Sequence, residues 1–190
     1  TCSVMVNAVI KIGAKPVFSD VDPDTFGSSL NSIVRCISSK TKLIVAQHTF
    51  GIPCDIEPII RFAKEMNIFV IEDCALTLGS KVNGKTVGNF GDAAIFSTDH
   101  TKPINTLIGG LIYSNNKEII NKVRRIQNEA SEFDENRQKA LWKRLMVERH
   151  LKSYPTSFLR AVDYLYIFIE KVMGINSPFL LSDYSSCPGH

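Results

Sequence analysis

Two short apolar runs, Lys42–His48 and Ile68–Asp73, frame the first part of the chain. Each is bounded by turn or polar residues and is short for a helix, so each reads as a strand buried on both faces of a sheet. Between them Ile56, Ile59, Ile60, Ala63 and Met66 recur at helical spacing behind Asp55. That predicts a helix with Asp55 as its N-cap, and Pro58 is tolerated in the first turn. Leu30, Ile33, Val34 and Ile37 repeat the same spacing and predict an earlier helix capped by one of the serines before it. Ser3–Ile12 is apolar nearly all round and stops at Gly13, the pattern of a buried helix with a glycine C-cap. Lys15–Val21 is a β-rich run that ends in the turn signal Asp22-Pro23-Asp24.

Asn83-Gly84 marks a hairpin turn, and Gly91–Phe96 predicts a third buried strand. Ile108–Ser114 predicts a further strand, antiparallel to its neighbour because the connection between them is short. From Asn116 the periodicity is helical, over Glu118–Phe133, Glu135–Leu151 and Phe158–Met173, the last stopped by Gly174. Strand, helix and strand joined by short links imply right-handed crossovers in a mainly parallel sheet covered by helices, an α/β fold. In such sheets ligands collect at the carboxyl ends of the strands. His48, Asp73 and Ser97 each stand at such an end, so three polar residues converge on one edge.

Composition narrows the chemistry. Hydrophobic residues make up 44% and charged residues 22%, as in an ordinary globular protein, and the net charge of +3 carries no nucleic-acid footprint. The basic residues of 117–152 are interleaved with Glu118, Glu129, Glu132, Asp134, Glu135 and Glu148, the pattern of a solvated helix face. Cys2, Cys36, Cys54, Cys74 and Cys187 are odd in number and form no C-x-x-C pair. Neither a disulfide framework nor a metal site is expected, and a reducing cytoplasm fits. No apolar run reaches the ~18 residues of a membrane span. The chain opens on Thr1 with no strand before its first helix, and its end suggests no closing element. It is expected to be a piece of something longer.

Phe96-Ser97-Thr98-Asp99-His100-Thr101-Lys102-Pro103 is the centre of this pattern, followed by Gly109-Gly110. A strand runs into a hydroxyl-rich turn that ends on one lysine, pinned by a proline, before the next strand. An amine held there suits a Schiff-base lysine, although a solvated loop lysine is the common alternative. Asp73 at a strand end suits either a turn or the pairing of an acid with a pyridine nitrogen. Ser97 suits either an ordinary turn or a phosphate contact, and His48 either a packed, hydrogen-bonded ring or a ligand contact. His100 reads as a loop residue. Amine, acid and hydroxyl together are what an aldehyde cofactor needs for imine formation, for a protonated ring and for its phosphate. No G-x-G-x-x-G or P-loop follows any strand, which disfavours a nucleotide-binding protein of another kind.

The order and spacing of seven motifs carry a resemblance. They are Gly13-Ala14-Lys15-Pro16-Val17-Phe18 with Asp20–Thr25, Thr41-Lys42, His48-Thr49-Phe50-Gly51, Ile71-Glu72-Asp73-Cys74-Ala75 with Gly79, Gly84–Ala93, Phe96-Ser97 with Lys102, and Gly109-Gly110. Through about Asn115 the chain resembles the DegT-like sugar aminotransferases, a branch of the fold type I pyridoxal-phosphate enzymes. That resemblance implies a three-layer α/β sandwich. Residues 1–115 would be the cofactor-binding core of a large domain, and residues 116–190 a helical region leading to a small domain. It implies pyridoxal 5'-phosphate as cofactor, with Lys102 forming the imine and moving the proton, Asp73 pairing with the pyridine nitrogen and Ser97 binding the phosphate. It implies an amino-acid donor, glutamate, a keto group on a nucleotide-linked sugar as acceptor, and a homodimer.

Relatives with histidine in place of the lysine are sugar dehydratases, which Lys102 disfavours. Three departures motivate the alternative of a non-catalytic or fragmentary member serving as a binding or assembly module. Leu76 replaces a glutamine, Cys2 replaces a ring-stacking aromatic residue, and a small-residue motif that closes over the phosphate in relatives would precede Thr1.

Overall fold

The computed structural model describes residues 3–99, 101–132 and 134–151, together with Phe158, Ala161, Tyr164, Leu165, Phe168, Ile169 and Val172. The elements follow in chain order as α1 (Ser3–Lys11), α2 (Leu30–Cys36), β1 (Leu43–Gln47), α3 (Ile56–Glu65), β2 (Phe69–Asp73), β3 (Lys81–Val82), β4 (Lys85–Thr86), β5 (Ala93–Ser97), β6 (Gly110–Tyr113), α4 (Lys117–Glu129) and α5 (Glu135–Leu151). Two compact units result, one of residues 16–130 and one of residues 1–15 with 131–190.

The first unit holds the main sheet, in the order β1-β2-β5-β6. β1, β2 and β5 run parallel, and β6 returns antiparallel to β5, as the short link from Lys102 predicts. Gln47 pairs with Asp73 and Asp73 with Ile95, so the carboxyl ends of three strands lie side by side. One face of the sheet carries Ile44, Ala46 and Val70 against Ile33 of α2 and Ile56, Ile59 and Ala63 of α3. Each large aliphatic side chain buried in this way contributes ~1.5–3 kcal/mol. The fold is α/β with a mainly parallel sheet, as the run lengths and spacings indicate.

Local chemistry departs from the expected pattern in places. Residues 15–20 form no strand, and Val21 makes only an isolated bridge to Ser28. Pro16 has no N–H to give a ladder, and Val17 and Phe18 are exposed. Ser29 occupies the N-cap of α2 without a side-chain cap bond, and the neighbouring Ser28 hydroxyl accepts the Gln47 N–H of β1 at 2.8 Å. Asp55 likewise stands at the N-cap of α3 without a side-chain cap bond. Asn116 does cap α4, accepting the Glu118 N–H at 2.9 Å, and this helix ends at Glu129 rather than at Phe133. Asn83 and Gly84 take the paired positive φ angles that the two-residue hairpin β3–β4 requires. The helix expected over Phe158–Met173 lies largely outside the described residues; the seven positions described there are helical.

Candidate active site

Strand alternation decides which side chains share a face. Consecutive residues point to opposite sides of a sheet, so Glu72 and Asp73 cannot both line one site. Asp73 shares its face with Ile95, its partner in register, and with Ser97 two residues farther along β5. Glu72 shares the opposite face with Ala46 and Ala94.

Asp73 is 7% exposed, and its Oδ1 accepts the Ala75 N–H at 3.1 Å. Burial pushes its carboxyl above the usual aspartate range, with the Ala75 N–H, His48 and the Lys102 ammonium pulling the other way. The lysine is half-buried in the turn, where its N–H donates to the Asp99 carbonyl at 2.9 Å. Ser97 is half-buried at the end of β5, and its Oγ accepts the Asp99 N–H at 3.4 Å. The loop after it is braced by Thr106, which donates to the Thr98 hydroxyl at 2.7 Å, and by the Thr98 N–H to the Gly109 carbonyl at 3.0 Å.

The glycine pair lets β6 close on β5. A Cβ on Gly110 would lie 2.7 Å from the Phe96 carbonyl oxygen, and Gly109 has φ +140°. The pair is a tight backbone position with no room for a side chain at Gly110.

His48 belongs to the other face. Its Nδ1 accepts the Cys54 N–H at 3.1 Å, which places the ring proton on Nε2, 3.2 Å from Glu72 Oε2. Neither side chain is exposed. Glu72 also accepts from Gly88 at 2.7 Å, Phe90 at 2.6 Å and Gly91 at 2.7 Å. His48 is thus the packed, hydrogen-bonded ring of the two sequence alternatives. Glu72 was not singled out from the sequence, although alternation beside Asp73 is a signal that one of the two acids must find buried partners.

His48, Glu72 and Cys74 offer ligand atoms within 4.8 Å of one another, but the set does not fit a metal ion. Both histidine nitrogens are engaged in hydrogen bonds and the Glu72 oxygens already accept four, so the donor atoms are satisfied within the protein. Asp73, Ser97 and Lys102 do fit pyridoxal phosphate. They supply a buried carboxyl for a ring nitrogen, a hydroxyl for a phosphate and an amine for an aldehyde, within one unit at one sheet edge. His100 and Cys2 lie outside the described residues; Leu76, which has no polar group to offer, is half-buried.

The model of the DegT/DnrJ/EryC1/StrS aminotransferase family matches residues 1–149. The chain is 45% identical over 117 residues to a GDP-perosamine synthase of Escherichia coli O157:H7, covering 62% of this chain and 32% of that protein. It is 35% identical over 146 residues to a dTDP-4-dehydro-2,3,6-trideoxy-D-glucose 4-aminotransferase of Saccharopolyspora spinosa, covering 75% and 38%. Among solved structures, an aminotransferase from Psychrobacter cryohalolentis superposes with a TM-score of 0.59 at 38% identity, over 60% of this chain and 29% of that one. The chain spans about a third of the length of the curated relatives it matches.

Proposed function

This chain belongs to the DegT/DnrJ/EryC1/StrS aminotransferase family, and on that footing we propose that it forms the cofactor-binding part of a pyridoxal-phosphate aminotransferase. Its substrates are an amino-acid donor, glutamate, and a keto group on a nucleotide-linked sugar, the class of compound in the name of the Saccharopolyspora relative. The observation that carries this is the placement of buried Asp73 and of Ser97 on one face at the carboxyl ends of adjacent parallel strands, with Lys102 in the turn that follows Ser97.

Pyridoxal phosphate, when bound, supplies an aldehyde that holds the amino group and a ring that withdraws electrons from the carbon losing its proton. Asp73 keeps a negative charge beside the ring nitrogen and so holds a proton there. Ser97 orients the ligand by donating its hydroxyl to the phosphate. Lys102 would hold the cofactor through its Nζ amine and would carry the proton that the transfer moves. A cytoplasmic setting is a reading that rests on the family resemblance. The working form is a homodimer, a reading that rests on the family resemblance.

The test is amino transfer in two halves. The chain loaded with pyridoxal phosphate is mixed with glutamate and the cofactor absorbance followed; a nucleotide-linked 4-keto sugar is then added. Conversion of the cofactor by glutamate and its reversal by the sugar, both lost in Lys102→Ala, are expected. A spectrum indifferent to both substrates would favour the non-catalytic module.

A further inference from the structure

Glu72 has four directed hydrogen-bond donors and no exposure, and the aminotransferase reading gives it no task. Its neighbours show what it connects. Through Oε2 it holds the His48 ring, and the His48 backbone N–H donates to the Asp73 carbonyl at 3.1 Å. Through both oxygens it holds the 88–91 segment that enters β5, where the Asp92 N–H donates to the Val70 carbonyl at 2.9 Å and Asp92 Oδ2 accepts the Val70 N–H at 2.8 Å. The β2 backbone on either side of Glu72 is thereby tied, to the end of β1 at the Asp73 carbonyl and to the entry of β5 at Val70. A carboxylate buried with all its acceptor capacity in use is a rigid anchor.

We propose that Glu72 is a positioning residue: by holding the Nε2–H form of His48 and the 88–91 segment, it fixes the end of β2 so that the Asp73 carboxyl stays buried and aimed at the ligand face. The role assigned to Asp73 rests on the aminotransferase reading, but the coupling from Glu72 through His48 to Asp73 can be measured without cofactor.

Two substitutions at His48 separate the bonds. Glutamine places a donor where Nε2–H stands and keeps the link to Glu72; asparagine places an acceptor where Nδ1 stands and keeps the bond from Cys54 while losing Glu72. The measurement is the titration of the Asp73 carboxyl by carbon-13 NMR in the cofactor-free chain, in His48→Gln, His48→Asn and Glu72→Gln, with thermal melts to establish folding and Asp73→Asn to assign the signal. In this titration Asp73 feels the backbone N–H of Ala75 and the side chains of His48 and Lys102. Both His48 variants lose the ring's downward pull on Asp73, so they are read against each other: the Asp73 midpoint is expected to be lower in His48→Asn, toward that of a solvent-exposed aspartate, than in His48→Gln, and lower in Glu72→Gln than in the wild type. If Glu72→Gln does not fold, the two His48 variants decide. Equal midpoints in the two His48 variants, a higher one in His48→Asn, or loss of the fold in either of them would overturn the proposal. Failure of cofactor binding with the Asp73 shifts as expected would sink the aminotransferase reading and leave the positioning intact.

Discussion

The side chains of His48 and Glu72 meet at 3.2 Å with neither exposed to solvent, on the sheet face opposite to Asp73. Burial pushes the Glu72 carboxyl up, but the donors His48, Gly91, Gly88 and Phe90 outweigh it and hold it below the usual glutamate range. A carboxyl whose folded value lies below its unfolded value adds stability that is complete above the unfolded value, here near 4.5. That stability is lost as pH falls through the folded value. Wild-type chain should therefore lose melting temperature below that pH more steeply than Glu72→Gln. At pH 7 the variant should be less stable by on the order of 3 kcal/mol, because glutamine offers one oxygen to four donors. Denaturant titrations at several pH values check both.

Asp73 has the opposite sign. Its folded value is raised by burial, so its favourable contribution is complete below the unfolded value near 3.8 and is lost as pH rises through the folded value. At neutral pH the ionised, buried group is a cost in the cofactor-free protein. Asp73→Asn keeps an acceptor for the Ala75 N–H and removes the charge, so the cofactor-free chain should gain on the order of 1 kcal/mol at pH 7 while cofactor binding weakens. Equal or lower stability in the variant would contradict this.

Gly110→Ala should separate β6 from β5. The added Cβ would lie 2.7 Å from a backbone oxygen, an atom that cannot rotate away. The expected cost is ~1–3 kcal/mol, with faster amide exchange at Phe96 and Leu111 than elsewhere in the sheet.

The thiols of Cys54 and Cys74 are buried and pushed up to about 12. Cys36 is half-buried. Brief alkylation at pH 8 followed by peptide mapping should label Cys36 well before Cys54 or Cys74, and unfolding in denaturant should remove the difference. Rapid labelling of Cys54 or Cys74 in native protein would show that the core around His48 opens readily.

The strands of the parallel core were legible because β1, β2 and β5 are short apolar runs, but burial on both faces does not hold: Leu43 and Phe69 are exposed on the face opposite Ile44 and Val70. The helix between β1 and β2 was legible because its apolar residues keep one face. Lys15–Val21 misled because β propensity alone, without a partner edge, makes no strand. His48 could not be assigned from its neighbours in sequence: its partner Glu72 is 24 residues away, and the bond exists only once β1 and β2 pair. Glu72 was hidden beside a more conspicuous acid. That Asp73 and Ser97 share a face follows only from the register of β2 and β5, which no stretch of sequence displays.

The most direct measurement is borohydride reduction of the chain mixed with pyridoxal phosphate, followed by peptide mass spectrometry beside a Lys102→Ala control. If Lys102 carries the cofactor, the reduced adduct maps to the Lys102 peptide, is absent from the control, and the control's amino-transfer rate is at least about 10²-fold lower. An adduct scattered over surface lysines, or equal in the two proteins, would contradict the assignment of Lys102.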